Sequence, residues 1–72
     1  SMYDINKYTV TYEDQGEITT EEVNAKTKIP SKSPKGKTGY TFEGWFIGNQ
    51  KQEFPLEILS DITLQAKYTK EK

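Results

Sequence analysis

The sequence has no cysteine and no histidine. That excludes disulfides, thiolate nucleophiles, imidazole acid–base catalysis and the usual zinc sites. Arginine is missing too, and all 10 basic residues are lysines. Without a guanidinium there is no bidentate clamp for phosphate or carboxylate. The net charge of −1 does not suit the chain as a whole to nucleic acid, which rewards a strong positive excess. Membrane insertion is not expected, because no apolar run approaches the roughly 18 residues of a spanning helix. Neither a secretion signal nor a C-terminal anchor signal is recognisable. The chain reads as a fragment of a longer one, with Ser1-Met2 as a cloning remnant.

What is present fills one small domain. At 72 residues and 8.3 kDa, surface scaling gives about 12,000 Å² unfolded and about 4,600 Å² folded. If about 60% of the buried area is apolar, its burial contributes on the order of 110 kcal/mol. Ordering the chain costs about 108 kcal/mol, at roughly 1.5 kcal/mol per residue. So thin a margin requires nearly every large apolar side chain for the core. A second buried site, such as a deep substrate pocket, is disfavoured. Composition alone therefore points to a β-rich, non-enzymatic module with no cofactor and no metal.

The periodicity supports strands. Lys7 to Tyr12 alternates Tyr8, Val10 and Tyr12 with Thr9 and Thr11, the period of a half-buried strand. Asp14-Gln15-Gly16 ends it, with Gly16 free to take positive φ. Glu17 to Ile29 is less regular. Thr19 and Glu22 have capping-box spacing, but Ile18, Val23, Ala25 and Ile29 form no stripe at 3.6 spacing. The favoured reading is a second strand from Glu17 to Val23, with a bulge or break near Asn24, and a short helix is the alternative. Pro30 to Gly39 reads as a long loop. Tyr40 to Ile47 carries Tyr40, Phe42, Trp45 and Phe46, with Gly44 as a candidate bulge. On simple parity Phe46 shares the face of Tyr40 and Phe42, and Trp45 and Ile47 take the other. A hairpin turn follows at Gly48 to Lys51, then a return strand at Gln52 to Phe54. Leu56 to Leu59 reads as one helical turn or a tucked loop.

Asp61 to Tyr68 then alternates as cleanly as the first strand, with Ile62, Leu64, Ala66 and Tyr68 on one face. The two cleanest strands lie at opposite ends of the chain. A small sheet that sets first and last strands side by side explains this. The expected core is Tyr8, Val10, Tyr12, Tyr40, Phe42, Trp45, Phe46, Ile62, Leu64, Ala66 and Tyr68.

Candidate chemistry is sparse. Gly36-Lys37-Thr38 echoes the end of a phosphate-binding loop, but Ser31 stands where the motif needs glycine, and Pro34 and the following strand deny its context. Glu13, Asp14 and Glu17 flank a turn without matching a calcium loop. A hydrolytic carboxylate pair needs a cleft that so small a core does not leave. The basic stretch Lys26, Lys28, Lys32, Lys35 and Lys37 contains no acid. It reads as a hydrated, solubilising loop, or alternatively as contacts for a carbohydrate or polyanion. Trp45 reads as core rather than as a sugar-stacking or protein-binding anchor.

Tyr8-Thr9-Val10-Thr11-Tyr12, Ile29-Pro30, Gly39-Tyr40-Thr41-Phe42-Glu43-Gly44-Trp45-Phe46 and Asp61-Ile62-Thr63-Leu64-Gln65-Ala66-Lys67-Tyr68 together resemble the Listeria–Bacteroides repeat. This is the family that includes the B repeat of internalin B. The resemblance runs over 7–68, leaving 1–6 and 69–72 as flanking or linker residues. Asp14-Gln15-Gly16-Glu17 stands where the family has an Asn-Gly-Gly turn, Gln65 where it has an aromatic, and Tyr68 where it has Trp. The resemblance implies a mainly β, formally α+β, β-grasp-like (ubiquitin-like) mixed sheet. That sheet has about four strands, first and last adjacent and parallel, and a short or absent helix. It further implies a repeat module of a secreted or wall-attached surface protein of a Gram-positive bacterium. Such a module acts as a spacer and protein-interaction unit in adhesion or host contact. It carries no catalytic motif. The implied partners are neighbouring repeats and a host or bacterial surface protein. The isolated fragment is expected to be monomeric.

Overall fold

The computed structural model describes residues 6–72; residues 1–5 of the expected flanking segment, Ser1 and Met2 included, lie outside the described residues. Strand β1 (Lys7–Asp14) runs past the expected end at Tyr12, because Asp14 stays in phase with Val10 and Tyr12 and is buried with them. The reversal is made by Gln15 and Gly16 at φ 56° and 87°. Two successive left-handed residues match the right-handed twist of the flanking strands. Strand β2 (Glu17–Asn24) pairs antiparallel with β1 along its whole length, from Asp14↔Glu17 to Lys7↔Asn24. The capping-box helix at Thr19 does not form. A helix there has no apolar stripe to bury, whereas the hairpin gives every second backbone group a ladder partner. The parity conflict that suggested a break near Asn24 has a simpler resolution. Val23 packs on the core, and Ile18, on the opposite face, is 64% exposed.

Strand β3 (Lys28–Ile29) and strand β6 (Leu56–Glu57) pair antiparallel as a separate two-stranded ribbon. Leu56–Glu57 is thus extended, not a helical turn. Strand β4 (Tyr40–Ile47) turns through Gly48, at φ 57°, and Asn49 into strand β5 (Gln50–Lys51). The return strand is Gln50–Lys51 and not the expected Gln52 to Phe54, because a two-residue turn puts Gln50 directly opposite Ile47. Strand β7 (Ile62–Lys70) lies parallel to β1 from Val10↔Ile62 to Glu13↔Gln65, and antiparallel to β4.

The main sheet has the order β2-β1-β7-β4-β5. This is a mixed β-grasp-like sheet with first and last strands adjacent and parallel. It has five strands rather than four because of the short β5, and there is no helix among the described residues.

The register of β4 against β7 slips between Phe42 and Gly44, a bulge that inserts Glu43. It overturns simple parity. Phe42 and Trp45 meet edge-to-face at 5.7 Å between centroids, so both lie on the core side, and Ile47 follows them. Phe46 is displaced from the expected core by the same residue of slip and instead carries Lys67 Nζ 4.8 Å above its ring. Tyr40 and Tyr68 are also half-buried rather than central. Tyr40 sits at the end of β4 beneath Lys37, and Tyr68 spends its hydroxyl on polar partners described below.

The buried core is Val10, Tyr12, Ile29, Trp45, Ile58 and Leu64, with Tyr8, Phe42, Ile62 and Ala66 packed partly buried against it. Trp45 is its centre, meeting Tyr12 edge-on at 5.2 Å and 72° as well as Phe42, the geometry that aromatic quadrupoles favour. Ile29 and Ile58 were outside the expected core. The β3–β6 ribbon brings them in, tied to the end of the hairpin by Lys26 N–H to the Ile58 carbonyl (2.7 Å) and Ile58 N–H to the Thr27 carbonyl (2.9 Å).

Candidate functional site

The long loop lies against the core face of the sheet, where Lys32 and Lys35 meet Tyr12, Asp14 and Trp45. Four side chains, Trp45, Asp14, Tyr68 and Gln15, hold its backbone there. The indole N–H of Trp45 donates to the Lys32 carbonyl at 2.8 Å, which satisfies a buried donor that could not reach water. Asp14 accepts from the Lys35 N–H at 2.7 Å, from the Tyr68 hydroxyl at 2.9 Å and from Gln15 Nε2 at 3.2 Å. Tyr68 in turn accepts from the Gly36 N–H at 3.0 Å, and Gln15 Nε2 donates to the Gly36 carbonyl at 2.7 Å. One buried carboxylate therefore joins β1, β7 and the loop. Burial alone would raise the Asp14 pKa, but the hydrogen bonds from Lys35, Gln15 and Tyr68, with the Lys35 charge, outweigh it and hold the carboxyl below its ordinary value.

A second polar pair borders the loop. The Tyr12 hydroxyl donates to Glu21 at 2.9 Å, and Lys32 Nζ lies 4.5 Å from the Tyr12 ring centroid. Burial, then the hydrogen bond and charge of Glu21, push the Tyr12 phenol up to about 12. Beside this pair is an open hollow of about 330 Å³ lined by Tyr12, Thr20, Glu21, Pro30, Ser31 and Lys32. Its phenol and carboxylate are already paired with each other, and it opens broadly to solvent.

The five lysines of the basic stretch have different local surroundings. Lys32 donates to Thr19 Oγ1 at 2.8 Å. Lys35 pairs with Glu17 at 2.9 Å, and that hydrogen bond and charge hold its ammonium above the ordinary lysine value. Both partners are half exposed, so solvent screens the pair. Lys37 Nζ sits 4.1 Å over the Tyr40 ring. Lys26, at φ 67°, and Lys28, in β3, are exposed at the ribbon, away from the Asp14 network. Lys32, Lys35 and Lys37 thus each meet a hydroxyl, an acid or a ring of their own chain.

The other candidates are similarly occupied. Glu13 Oε2 accepts the Gly16 N–H at 3.1 Å, so Glu13, Asp14 and Glu17 each serve a contact within the turn or loop. Among the described residues no group of three acids is placed to hold a metal ion. The Gly36 N–H, which a phosphate loop would leave free, is bonded to the Tyr68 hydroxyl. Sequence reasoning missed the Asp14–Tyr68 pair. The signal was present as Asp14 sharing the core parity of Tyr12, a polar residue where an apolar one belongs.

The sequence profile of the Listeria–Bacteroides repeat domain matches residues 8–67, from the first strand to the last. The chain belongs to the Listeria–Bacteroides repeat family. Its pairing of the YTVTY segment with the ITLQAKY segment is the parallel β1–β7 seam described above. This repeat is also similar to Internalin H of Listeria monocytogenes, at 33% identity over 97% of the chain. It spans 14% of that protein's length.

Proposed function

We propose that this repeat is a non-catalytic module of a bacterial cell-surface protein, acting as a spacer and protein-interaction unit in adhesion or host contact. It would be carried outside the cell by a wall-attached Gram-positive protein, next to further repeats in the parent chain. The observation that carries the reading is the direction in which the chain enters and leaves. Val10 is level with Ile62 in the parallel pair; Lys7 lies three residues below that level and Lys70 eight above it. The outer ends of β1 and β7 are therefore about 36 Å apart along the seam, at about 3.3 Å per residue. A module entered at one end and left at the other adds length with every copy. The use of its reactive side chains in internal ties fits a non-catalytic part, as does its likeness to a segment of Internalin H.

Small-angle scattering on one, two and three tandem copies tests this. The maximum dimension should grow by about 36 Å per copy, plus any linker. A dimension that hardly grows, with copies folded side by side, would refute the spacer role. Retention of the purified module on host-cell or bacterial surface proteins, undiminished by added salt, would support the interaction role. Retention on acidic polysaccharide alone would count against it.

A further inference from the structure

Force applied between the ends of this module has a single seam to act on. The sheet order places β2 and β1 on one side of the β1–β7 ladder and β7, β4 and β5 on the other. Within the main sheet the first hairpin meets the other strands only through this parallel pairing; the core, the loop ties and the β3–β6 ribbon join the two halves outside it. Tension on the start of β1 and the end of β7 pulls the parallel strands past each other along their length. Ladder bonds loaded in that direction share the force and must yield together. The same bonds peeled from one end yield one after another.

The seam is also fastened at both limits. Just below the first ladder pair, the Thr9 N–H donates to the Asp61 carboxylate at 2.8 Å. Just above the last pair, the Tyr68 hydroxyl donates to the Asp14 carboxylate at 2.9 Å. Each bond has an ionised acceptor, the stronger kind of hydrogen bond. Each crosses from β1 to β7 or to the residue just before it, and each lengthens when the strands slide. The short ladder thus carries a carboxylate tie at either end, where sliding would begin.

We propose that the module is a force-bearing unit: the β1–β7 seam, closed at its ends by the Asp61–Thr9 and Asp14–Tyr68 bonds, is a shear lock that keeps the repeat folded under tension between its termini. This rests on the spacer reading for the source of the tension, but not for the lock itself. Because unfolding under force is governed by the unfolding barrier, the lock is read in force and not only in equilibrium stability.

Single-molecule force spectroscopy on the full chain tests it in two geometries. In one, handles pull through the two termini. In the other, the chain is held at Asn6→Cys and Ser60→Cys, which lie at the same end of the seam and peel it open. The sequence has no native cysteine, so these thiols attach uniquely. The expected unfolding force is several-fold higher end to end than in the peeling geometry. Tyr68→Phe, at the end of the seam far from the peeling handles, should lower the end-to-end force and leave the peeling force nearly unchanged; Asp61→Ala, at the end that peeling opens, should lower both forces. Tyr68→Phe keeps the ring on Phe42 and serves if Asp61→Ala fails to fold. Equal forces in both geometries would overturn the shear lock. Equal fractional losses in both geometries for Tyr68→Phe, or no loss of end-to-end force for either variant, would overturn the role of the carboxylate ties. Tandem copies that fail to lengthen in solution would sink the spacer reading while leaving the force comparison standing.

Discussion

Replacing Asp14 with alanine tests the polar organisation of the repeat most sharply. The carboxylate accepts two short bonds, from the Lys35 N–H at 2.7 Å and the Tyr68 hydroxyl at 2.9 Å, and a longer one from Gln15 at 3.2 Å. A bond to a charged group contributes about 1.5–3 kcal/mol net. The Gln15 bond is long and adds little. The Tyr68 hydroxyl is half exposed and recovers part of its loss from water. The two short bonds together then give about 3 kcal/mol for Asp14→Ala. Domains of this size have about 4–11 kcal/mol in total, so the variant stays folded but with much of its margin gone. Urea denaturation at pH 7 measures it. With a slope near 1 kcal/mol/M the midpoint falls by about 3 M. Asp14→Asn keeps one acceptor oxygen and loses about half as much. A double-mutant cycle with Tyr68→Phe should show coupling of about 1 kcal/mol. A loss below about 1 kcal/mol for Asp14→Ala, or no coupling to Tyr68, would refute the claim that this carboxylate holds loop and seam together.

Other outcomes follow from the same coordinates. The Asp14 pKa lies below its unfolded value, so its stabilisation is complete above about pH 4 and is lost as pH falls through the folded value; urea midpoints between pH 7 and 3 should show that part of the acid slope vanish in Asp14→Asn. The Tyr12 phenol, pushed up to about 12, should ionise late in an ultraviolet titration, and Tyr12→Phe should remove that late component. At Gly44, φ is +142° and an added Cβ would sit 2.9 Å from Lys51 Cε; the side chain of Lys51 yields, but the backbone does not, so Gly44→Ala should cost about 1–3 kcal/mol in thermal unfolding. Ile58→Ala should cost about 2–5 kcal/mol despite its lack of any periodic neighbour, since the side chain is 1% exposed.

The parts legible in the sequence are those where one physical rule acts over many residues. Alternation in Lys7–Tyr12 and Asp61–Tyr68 identified both strands of the seam and their shared core face. The family resemblance added that they run parallel. What escaped was decided by single residues or by distant contacts. One inserted residue, Glu43, moved Trp45 to the face of Phe42 and Phe46 off it. The two-residue strands of the ribbon are too short for any period, so Ile29 and Ile58 gave no signal of burial. Thr19 and Glu22 offered a local helix start, but pairing with β1 along eight residues prevailed over it. The loop could be recognised from its prolines and glycines, yet its position depends on Asp14, Tyr68 and Trp45, residues 13 to 54 positions from their partners. Asp14, Gln15 and Tyr68 are also where the sequence departs from the family pattern, and the structure bonds these departures to one another.

The central claim is that β1 and β7 run parallel and place the two ends of the repeat at opposite ends of one seam. Pulsed electron–electron resonance between nitroxides at Asn6→Cys and Lys70→Cys measures this directly. The account expects a narrow distribution centred near 35–45 Å, from about 3.3 Å per residue along the seam plus the label arms. A main peak below about 20 Å, as antiparallel terminal strands would give over the same register, would contradict it.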